Sequence, residues 1–400
     1  MSTDVTVLMT GAGAPGASGV LKSLRAADER SVQVVGVDAD PDAYGFALVD
    51  DSRVVPRGDE DGYVERMSEV AADVDTDVIM PLTTAELGPL VDARAALCDA
   101  GVVTMVSAPS ALSVANDKGR LYGFLDAAGF EAAPAYRRVD SASAFVDAVE
   151  SLGYPERPVC FKRPVASGKR GFRVLDGESD RLDRLLHEKP DSSVTTLDDV
   201  LPVLESADSF PELVVMEHLP GEEYSVDVLA KGDEVGPVVP RVRERTRAGI
   251  SFRGTVVEDE ALIDSAASIC RRLGLEYNVN LQYKYDAEGT PKIIEINPRI
   301  SGTIVMCVGA GANLPYLALE YALGEPTPSV EVEWGTTMAR YWQEVFYPPD
   351  GDPYQLPGSA PGATASDGPA SSHEGDRGAT DPGRDTGTTL AGDAGSSSGS

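Results

Sequence analysis

The sequence contains few of the residues that build disulfide and metal sites. Its 400 residues include four cysteines, which lie far apart with no CxxC pair, and three histidines. A disulfide framework or a zinc site is therefore not expected, and a reducing compartment fits. No apolar run approaches the roughly 20 residues of a membrane span. The N-terminus also lacks the basic and apolar regions of a signal peptide. These absences predict a cytoplasmic protein that does not enter membranes.

Positive charge is scarce as well. The formal net charge is −31, and only eight of the 34 basic residues are lysines. Such a balance argues against binding to nucleic acid. It is typical of proteins from salt-loving microbes, in which a carboxylate-rich surface stays hydrated and salt screens the repulsion between like charges. We therefore expect a halophilic protein, with a merely acidic one as the alternative.

The first 112 residues alternate short apolar runs with helical segments. Alternation of strand and helix at this spacing predicts an α/β domain with a parallel, doubly wound sheet. The predicted strands lie at residues 4–10, 32–38, 75–82 and 101–107.

A second region, residues 113–345, has a mixed α+β pattern. It opens with a helix that begins at Asn116-Asp117-Lys118. A further helix is predicted at 261–274, and strands at 158–163, 213–219, 223–230, 277–286 and 291–297.

The last 50 residues, 351–400, differ in kind. Gly, Pro and Ser supply 24 of them, and Ile, Val, Phe and Trp are absent. Such a segment buries too little apolar surface to fold, so a disordered tail is predicted.

The segment IIEINPR carries the sharpest chemical signal. Alternate residues of a strand share a face, so Glu295 and Asn297 point the same way. The preceding segment predicts a hairpin around residues 286–290, which places Gln282 beside Glu295. A carboxylate and amide oxygens suit Mg²⁺ that keeps waters and nucleotide phosphates as its other ligands. The alternative is a solvated edge hairpin.

Lysines and glycines indicate a phosphate site. Lys162 ends an apolar strand, and the loop after it contains Gly168, Lys169 and Gly171. Small residues let backbone N–H groups approach phosphate oxygens while lysines neutralise charge. The GxxxxGK[ST] pattern of a P-loop is absent, so the loop is interpreted as a flap over a triphosphate. Lys118, at a helix start, adds another phosphate contact. Solvated turn lysines are the alternative.

The segment VVMEHLPGEEYSVD predicts a strand, a Pro-Gly turn and a second strand. Such a connection offers the backbone of Glu217, His218 and Leu219 to an adenine edge, and the carboxylate of Glu223 to ribose hydroxyls. An ordinary hairpin is the alternative.

The order of these motifs resembles the ATP-grasp superfamily, specifically proteins related to the carbamoyl-phosphate synthase large subunit. The resemblance runs from about residue 4 to residue 325. It implies a Rossmann-like pre-ATP-grasp domain over 1–112 and an ATP-grasp domain over 113–345, with a mobile lid at roughly 134–215. One departure is Ala166 in a loop with only two glycines, where many relatives carry more.

The resemblance also implies roles for the motif residues. Lys118 and Lys162 contact the phosphates of ATP, and residues 217–219 and Glu223 hold adenine and ribose. Arg299 meets the transferred phosphate or the substrate carboxylate, so Arg299 and Lys162 are the predicted catalytic residues. The metal, Mg²⁺ or Mn²⁺, is held by Gln282, Glu295 and Asn297.

The implied activity is ATP-dependent ligation, with C–N bond formation and release of ADP. ATP converts a small-molecule carboxylate to an acylphosphate, which an amine or ammonia attacks. Arg247 and Arg253 are candidate contacts for an anionic substrate, with a solvated hairpin as the alternative. Glu86 is a candidate for the substrate cleft, with a surface helix as the alternative. A homodimer is a further expectation from the relatives.

Other functions stay open. Gly11-Ala-Gly13-Ala-Pro-Gly16 follows a strand and opens a helix, and Asp38 ends the next strand, which satisfies the dinucleotide fingerprint. An NAD-dependent enzyme is therefore an alternative, although Pro15 lies inside the fingerprint and no hydride-transfer site is apparent. An ATP-grasp kinase that phosphorylates a hydroxyl and a regulatory nucleotide-binding module are two more.

Overall fold

The structure is a computed structural model of the chain. It describes residues 4–165, 170–180, 182, 186–187, 192–247 and 249–356. Two of the predicted flap residues, Gly168 and Lys169, lie outside the described residues, as does the predicted tail from residue 357 onward.

The first sheet has five parallel strands in the order β3-β2-β1-β4-β5, which confirms the predicted doubly wound sheet. The predicted strands are β1, β2, β4 and β5. The edge strand β3 was not predicted because its sequence, DSRV, has no apolar run. The strands are β1 (Val5–Thr10), β2 (Val32–Asp38), β3 (Asp51–Val54), β4 (Val78–Met80) and β5 (Val103–Thr104). The helices of this region are α1 (Ala17–Arg25), α2 (Tyr63–Asp73), α3 (Leu87–Asp99) and α4 (Pro109–Ala115).

The second sheet has the order β6-β10-β7-β8-β9 and lies in the span predicted as a lid. It mixes antiparallel pairs with one parallel pair, β8 with β9. The strands are β6 (Tyr136–Val139), β7 (Val159–Lys162), β8 (Arg173–Leu175), β9 (Val194–Thr195) and β10 (Leu213–Glu217). The helices are α5 (Lys118–Ala127), which precedes the sheet, α6 (Ala142–Ser151) and α7 (Leu197–Ser206).

The third sheet is antiparallel throughout, in the order β15-β14-β11-β12-β13-β16. Its longest strand, β12, was predicted only as part of an arginine-rich hairpin. The strands are β11 (Glu223–Lys231), β12 (Glu234–Arg247), β13 (Ile250–Val256), β14 (Glu276–Tyr285), β15 (Pro291–Asn297) and β16 (Thr337–Ala339). The helices are α8 (Glu260–Leu273), α9 (Val305–Gly309) and α10 (Leu314–Ala322).

Helix α8 shows how local sequence sets an element. The side chain of Asp259 accepts a hydrogen bond from the Leu262 amide at 3.1 Å, which caps the first turn. Gly274 follows the last turn in the left-handed conformation, with φ of 66°. The apolar face of the helix, which includes Leu262, Ala266 and Ile269, is buried with strands of the third sheet.

One apolar core joins the first sheet to the third. Met9 and Leu24 from the first region pack in the same cluster as Ile304, Leu314 and Leu317 from the segment after β15. This shared core fixes the carboxyl edge of the first sheet beside the end of β15. The larger cavity described below lies at that junction.

In the described part of the chain, no helix has both the length and the apolar composition to cross a membrane.

Candidate nucleotide and substrate site

Two adjoining cavities lie around the β14–β15 hairpin. The smaller has a volume of about 260 Å³ and the larger about 820 Å³. They share one wall, so a ligand in either cavity meets the same polar side chains. The shared lining residues are Lys118, Arg170, Arg243, Gly249, Gln282 and Glu295.

The hairpin brings the predicted oxygen donors together. The β14–β15 register pairs Gln282 with Glu295, as predicted, and Asn280 with Asn297. Asn297 Nδ2 donates to Glu295 Oε1 at 3.1 Å. Gln282, Glu295 and Asn297 therefore lie on one face of two paired strands. Gln282 and Glu295 line both cavities, and Asn297 lines the larger one.

Two lysines reach this wall from different elements. Lys118, the first residue of α5, places Nζ 3.2 Å from Glu295 Oε2. Lys162, the last residue of β7, donates from Nζ to the Ile294 carbonyl at 3.1 Å. The two residues are only 6% and 5% exposed, so their charges sit in a largely water-excluded site.

The electrostatics of this wall favour an anion. Burial and the charge of Lys118 lower the pKa of Lys162 to about 7, and Glu295 only partly offsets them. Burial alone would raise the pKa of Glu295, but the charges of Lys118 and Lys162 outweigh it, and the pKa lies below its usual value. A phosphate bound here would favour the charged form of Lys162, because a nearby negative charge raises the pKa of an amine.

The smaller cavity combines an apolar slot with polar ends. Phe172, Val174 and Leu219 line its apolar part, and Glu223 lies at the polar side. Lys284 Nζ donates to the Leu219 carbonyl at 2.6 Å, which fixes the segment after β10. A slot of this composition suits a planar base with an attached hydroxyl-bearing sugar. Burial raises the pKa of Cys160 in this wall to about 12, so its thiol stays protonated.

The predicted adenine segment is only partly available. The Glu217 amide donates to the Ala135 carbonyl at 3.0 Å, and Glu217 Oε1 accepts from the Ala135 amide at 2.8 Å. The backbone amide and the carboxylate of Glu217 are thus both bonded to Ala135, which directly precedes β6. His218 and Leu219 do line the smaller cavity, as predicted. Gly171 follows Arg170, which lines both cavities.

Arg299 lies at the larger cavity, held by three hydrogen bonds. Its Nε donates to Thr84 Oγ1 at 3.2 Å, its Nη2 to Asn297 Oδ1 at 3.3 Å and its Nη1 to the Ile300 carbonyl at 2.8 Å. Burial lowers the pKa of Arg299 below its usual value, but a guanidinium stays charged in proteins. Arg299 thus connects the loop after β4 to the end of β15.

The two candidate arginines of the β12–β13 hairpin lie away from both cavities. Arg253 Nε donates to Glu244 Oε2 at 2.8 Å, and its side chain is 53% exposed. The guanidinium of exposed Arg247 lies 5.7 Å from the Trp342 ring centroid. Both side chains are exposed, as the alternative of a solvated hairpin expects, and their contact with a substrate stays a prediction.

Within the β12–β13 hairpin, Arg243 lines both cavities, and it was not predicted as a site residue. Its side chain is 7% exposed, forms an ion pair with Glu223 and donates to Gln282 Oε1 at 3.3 Å. Register shifts in the β12–β13 pairing change which side chains point inward. Such bulges leave little trace in a period-two pattern.

The front glycine loop and Asp38 line the larger cavity, and they are hydrogen-bonded to each other. Asp38 Oδ2 accepts from the Gly13 amide at 2.7 Å, so the acid that would hold a ribose is bonded to the loop instead. Tyr44 Oη donates to the Ala14 carbonyl at 2.7 Å. A Cβ on Gly16 would lie 2.8 Å from Gly302 Cα, so this glycine permits contact with the loop after β15. The bond between Gly13 and Asp38 thus engages two groups of the dinucleotide fingerprint with each other.

The predicted metal donors suit a metal that is bound partly by the protein and partly by a nucleotide and water. Among the described residues, no group of three or more His, Cys, Asp or Glu side chains is arranged to hold a metal. The predicted set of Gln282, Glu295 and Asn297 offers one carboxylate and two amide oxygens. Such a set suits Mg²⁺ or Mn²⁺ whose remaining ligands come from nucleotide phosphates and water.

Comparisons with known proteins agree with this geometry. Residues 209–344 match a family model described as ATP-grasp in the biosynthetic pathway with Ter operon. The chain is 26% identical to the arginine-specific carbamoyl phosphate synthase large chain of Bacillus subtilis over 229 residues, which is 54% of this chain and 19% of that protein. It is 25% identical to the carbamoyl phosphate synthase large chain of Streptomyces avermitilis over 66% of this chain and 22% of that protein. The chain thus spans about a fifth of the length of these relatives.

Solved structures share the fold. The ADP complex of purK, an N5-carboxyaminoimidazole ribonucleotide synthetase, aligns with a TM-score of 0.60 at 16% identity, over 83% of this chain and 80% of that one. A biotin carboxylase–β,γ-ATP complex from Campylobacter jejuni aligns with a TM-score of 0.60 at 16% identity, over 82% and 73%. The family match, the relatives and these neighbours confirm the predicted resemblance to the ATP-grasp superfamily and the predicted ATP-grasp fold.

Proposed function

We propose that this chain is an ATP-dependent ligase that joins a small-molecule carboxylate to an amine or ammonia and releases ADP. The observation that carries the proposal is the shared wall of the two cavities. There Glu295 is paired in register with Gln282 and faces Lys118 at 3.2 Å. Oxygen donors and buried cations at the junction of two cavities suit phosphoryl transfer from one ligand to another.

The smaller cavity is the proposed nucleotide site. The base lies against Phe172 and Leu219, and the ribose hydroxyls lie near Glu223, which line that cavity. The phosphates extend toward Lys118 and Lys162. Because those lysines are buried beside one carboxylate, the phosphates add negative charge that stabilises their charged forms.

Gln282, Glu295 and Asn297 are the proposed metal ligands. Bound Mg²⁺ or Mn²⁺ would neutralise charge on the transferring phosphoryl group and bridge phosphate oxygens. Glu295 suits this task because its lowered pKa keeps it ionised at neutral pH.

The larger cavity is the proposed site of the acid, with Arg299 holding its carboxylate in line with the γ-phosphate. A carboxylate oxygen attacks the γ-phosphorus, the bond from that phosphorus to the bridging oxygen breaks, and ADP leaves. The amine nitrogen then attacks the carbonyl carbon of the acylphosphate, the C–O bond to phosphate breaks, and the nitrogen loses a proton. Positioning and charge stabilisation suffice, since the acylphosphate supplies its own leaving group.

Two other activities have less support. A kinase differs only in placing a hydroxyl where the carboxylate lies, so product analysis separates the two. An NAD-dependent enzyme needs the front glycine loop to hold a pyrophosphate, and the Gly13 amide is already bonded to Asp38. A homodimer, a cytoplasmic location and salt adaptation stay predictions from the sequence and the relatives.

A thermal-shift comparison in high salt tests the proposal. Mg-ATP, AMP, NAD⁺ and NADP⁺ are each added to the full chain, since selective binding to the folded state raises the unfolding midpoint. Stabilisation by Mg-ATP, followed by ADP release that requires both an acid and an amine, is the expected result. Stabilisation by NAD⁺ and not by Mg-ATP would overturn the proposal.

A further inference from the structure

A buried carboxylate in the larger cavity is bonded to neutral donors. Glu86 directly precedes α3, at the carboxyl edge of the first sheet, and is 8% exposed. Its Oε2 accepts from Thr10 Oγ1 at 2.5 Å and from the Thr83 amide at 3.2 Å. Neutral donors leave the charge of a buried carboxylate uncompensated, and burial accordingly raises the pKa of Glu86.

The position of this carboxylate is fixed by its surroundings. A Cβ on Gly58 would lie 2.8 Å from the Ala85 carbonyl and the Glu86 amide, so the loop after β3 packs directly against the start of α3. Thr10, the last residue of β1, bonds the Glu86 carboxylate and also accepts from the Leu82 amide at 3.1 Å. Glu86 is thus built into the cavity wall rather than held in a mobile loop.

The same wall carries the opposite charge nearby. Arg299 bonds Thr84, two residues before Glu86, and both Arg299 and Glu86 line the larger cavity. Thr84 therefore brings the guanidinium of Arg299 to the same short segment that carries Glu86. A ligand in this cavity therefore meets a guanidinium and a buried carboxylate together.

We propose that Glu86 binds a cationic nitrogen in the larger cavity, which makes the substrate acid an amino acid or a similar zwitterion whose carboxylate lies toward Arg299. The inference rests on the proposed function, since Arg299 holds the reacting carboxylate there. The ammonium group supplies the countercharge that Thr10 and Thr83 do not. The same chemistry would serve the incoming amine, so the experiment includes both sources.

The test uses the full chain in high salt with Mg²⁺ and a non-hydrolysable ATP analogue. Each of the twenty common amino acids is titrated by calorimetry, and each one that binds is compared with the desamino acid of the same carbon skeleton, such as propionate for alanine. A third arm uses methylamine and ethylamine, which lack a carboxylate. The same titrations are run on Glu86→Gln, which keeps the shape of the side chain and an oxygen for Thr10.

The expected result is at least one amino acid that binds about tenfold or more tightly than its desamino partner. Glu86→Gln should remove that preference, while the affinity for the ATP analogue changes less than about twofold. Glu65→Gln, at an exposed carboxylate of α2, should leave both affinities unchanged. A second pattern is that an amine binds and loses its affinity in Glu86→Gln, while each amino acid binds no more tightly than its desamino acid. In that case Glu86 binds the cationic nitrogen of the incoming amine.

Three results would overturn the inference. These are equal binding of amino acid and desamino acid, an unchanged preference in Glu86→Gln, and no binding by any amino acid or amine. The first would mean that Glu86 is protonated and donates a hydrogen bond. Failure of the ATP analogue to bind is a separate outcome, since it contradicts the proposed function itself. An unfolding midpoint of Glu86→Gln equal to that of the unmodified chain shows that the variant is folded.

Discussion

The β14–β15 hairpin and the front glycine loop both carry a sequence motif for a phosphate-bearing ligand, but they use their polar groups differently. In the hairpin, Gln282 and Glu295 line both cavities, beside a buried lysine at 3.2 Å. The glycine loop lines the larger of the two cavities but not the smaller; its Gly13 amide is bonded to Asp38 at 2.7 Å, and Gly16 packs against the backbone of Gly302. Oxygen atoms of the hairpin also have partners within the protein, so the difference between the two motifs is that the hairpin lies at the wall shared by both cavities, next to a buried lysine.

The strongest test of this contrast is the substitution Glu295→Gln. It removes the carboxylate that we assign to the metal and lowers ADP release by about 10²-fold or more, because charge stabilisation at the reacting centre is lost. Glu288→Gln, at an exposed position in the turn of the same hairpin, is the matched control and should keep full activity. Undiminished ADP release from folded Glu295→Gln would remove this residue from the metal site.

The next effect is expected at Lys162, through its dependence on pH. The pKa of Lys162 is about 7 without ligand, and a bound triphosphate should raise it. ATP binding above pH 7 therefore takes up a proton, and the affinity should fall as pH rises, by up to about tenfold per pH unit. Calorimetry in two buffers of different ionisation enthalpy measures the proton uptake.

A variant of the same position separates charge from structure. Lys162→Met should weaken ATP binding about tenfold or more and abolish the proton uptake. Loss of a buried ammonium should not lower the unfolding midpoint. Equal ATP affinity in Lys162→Met and the unmodified chain would exclude Lys162 from the phosphate site.

A smaller effect is expected within the arginine-rich hairpin. Arg243→Ala removes the partner of Glu223 and Gln282 and should weaken Mg-ATP binding several-fold, by about 1 kcal/mol or more. Arg253→Ala changes an exposed ion pair and should alter neither binding nor stability by more than about 0.5 kcal/mol. Titration of the ATP analogue against both variants makes the comparison; equal effects would contradict the placement of Arg243 in the site.

The smallest effect on nucleotide binding is expected at the glycine loop. Asp38→Ala removes an internal hydrogen bond to the Gly13 amide and should lower the free energy of unfolding by about 1–2 kcal/mol. Binding of the ATP analogue should not change, and NAD⁺ should not bind either protein. Detectable NAD⁺ binding that Asp38→Ala abolishes would restore the dinucleotide interpretation.

The sequence predicted the main strands and helices better than it predicted the contacts between distant residues. The parallel sheet, the helix at 261–274 and the Gln282–Glu295 pairing follow from apolar periodicity and turn residues, and the structure confirms them. The edge strand β3 and the 14-residue strand β12 were missed, since one lacks an apolar run and the other is dense in charge. Arg243 was missed for the same reason as β12.

Local patterns determined three things about this protein: where its strands and helices begin, which strand faces carry oxygen donors, and which lysines follow buried strands. These features depend on residues a few positions apart, so the chain itself encodes them. Only the tertiary structure decided which polar groups line the cavities and which partners they have within the protein. The bonds from Asp38 to Gly13, from Glu217 to Ala135 and from Arg243 to Glu223 join residues 20 to 82 positions apart, and such pairings depend on how the sheets pack rather than on local spacing.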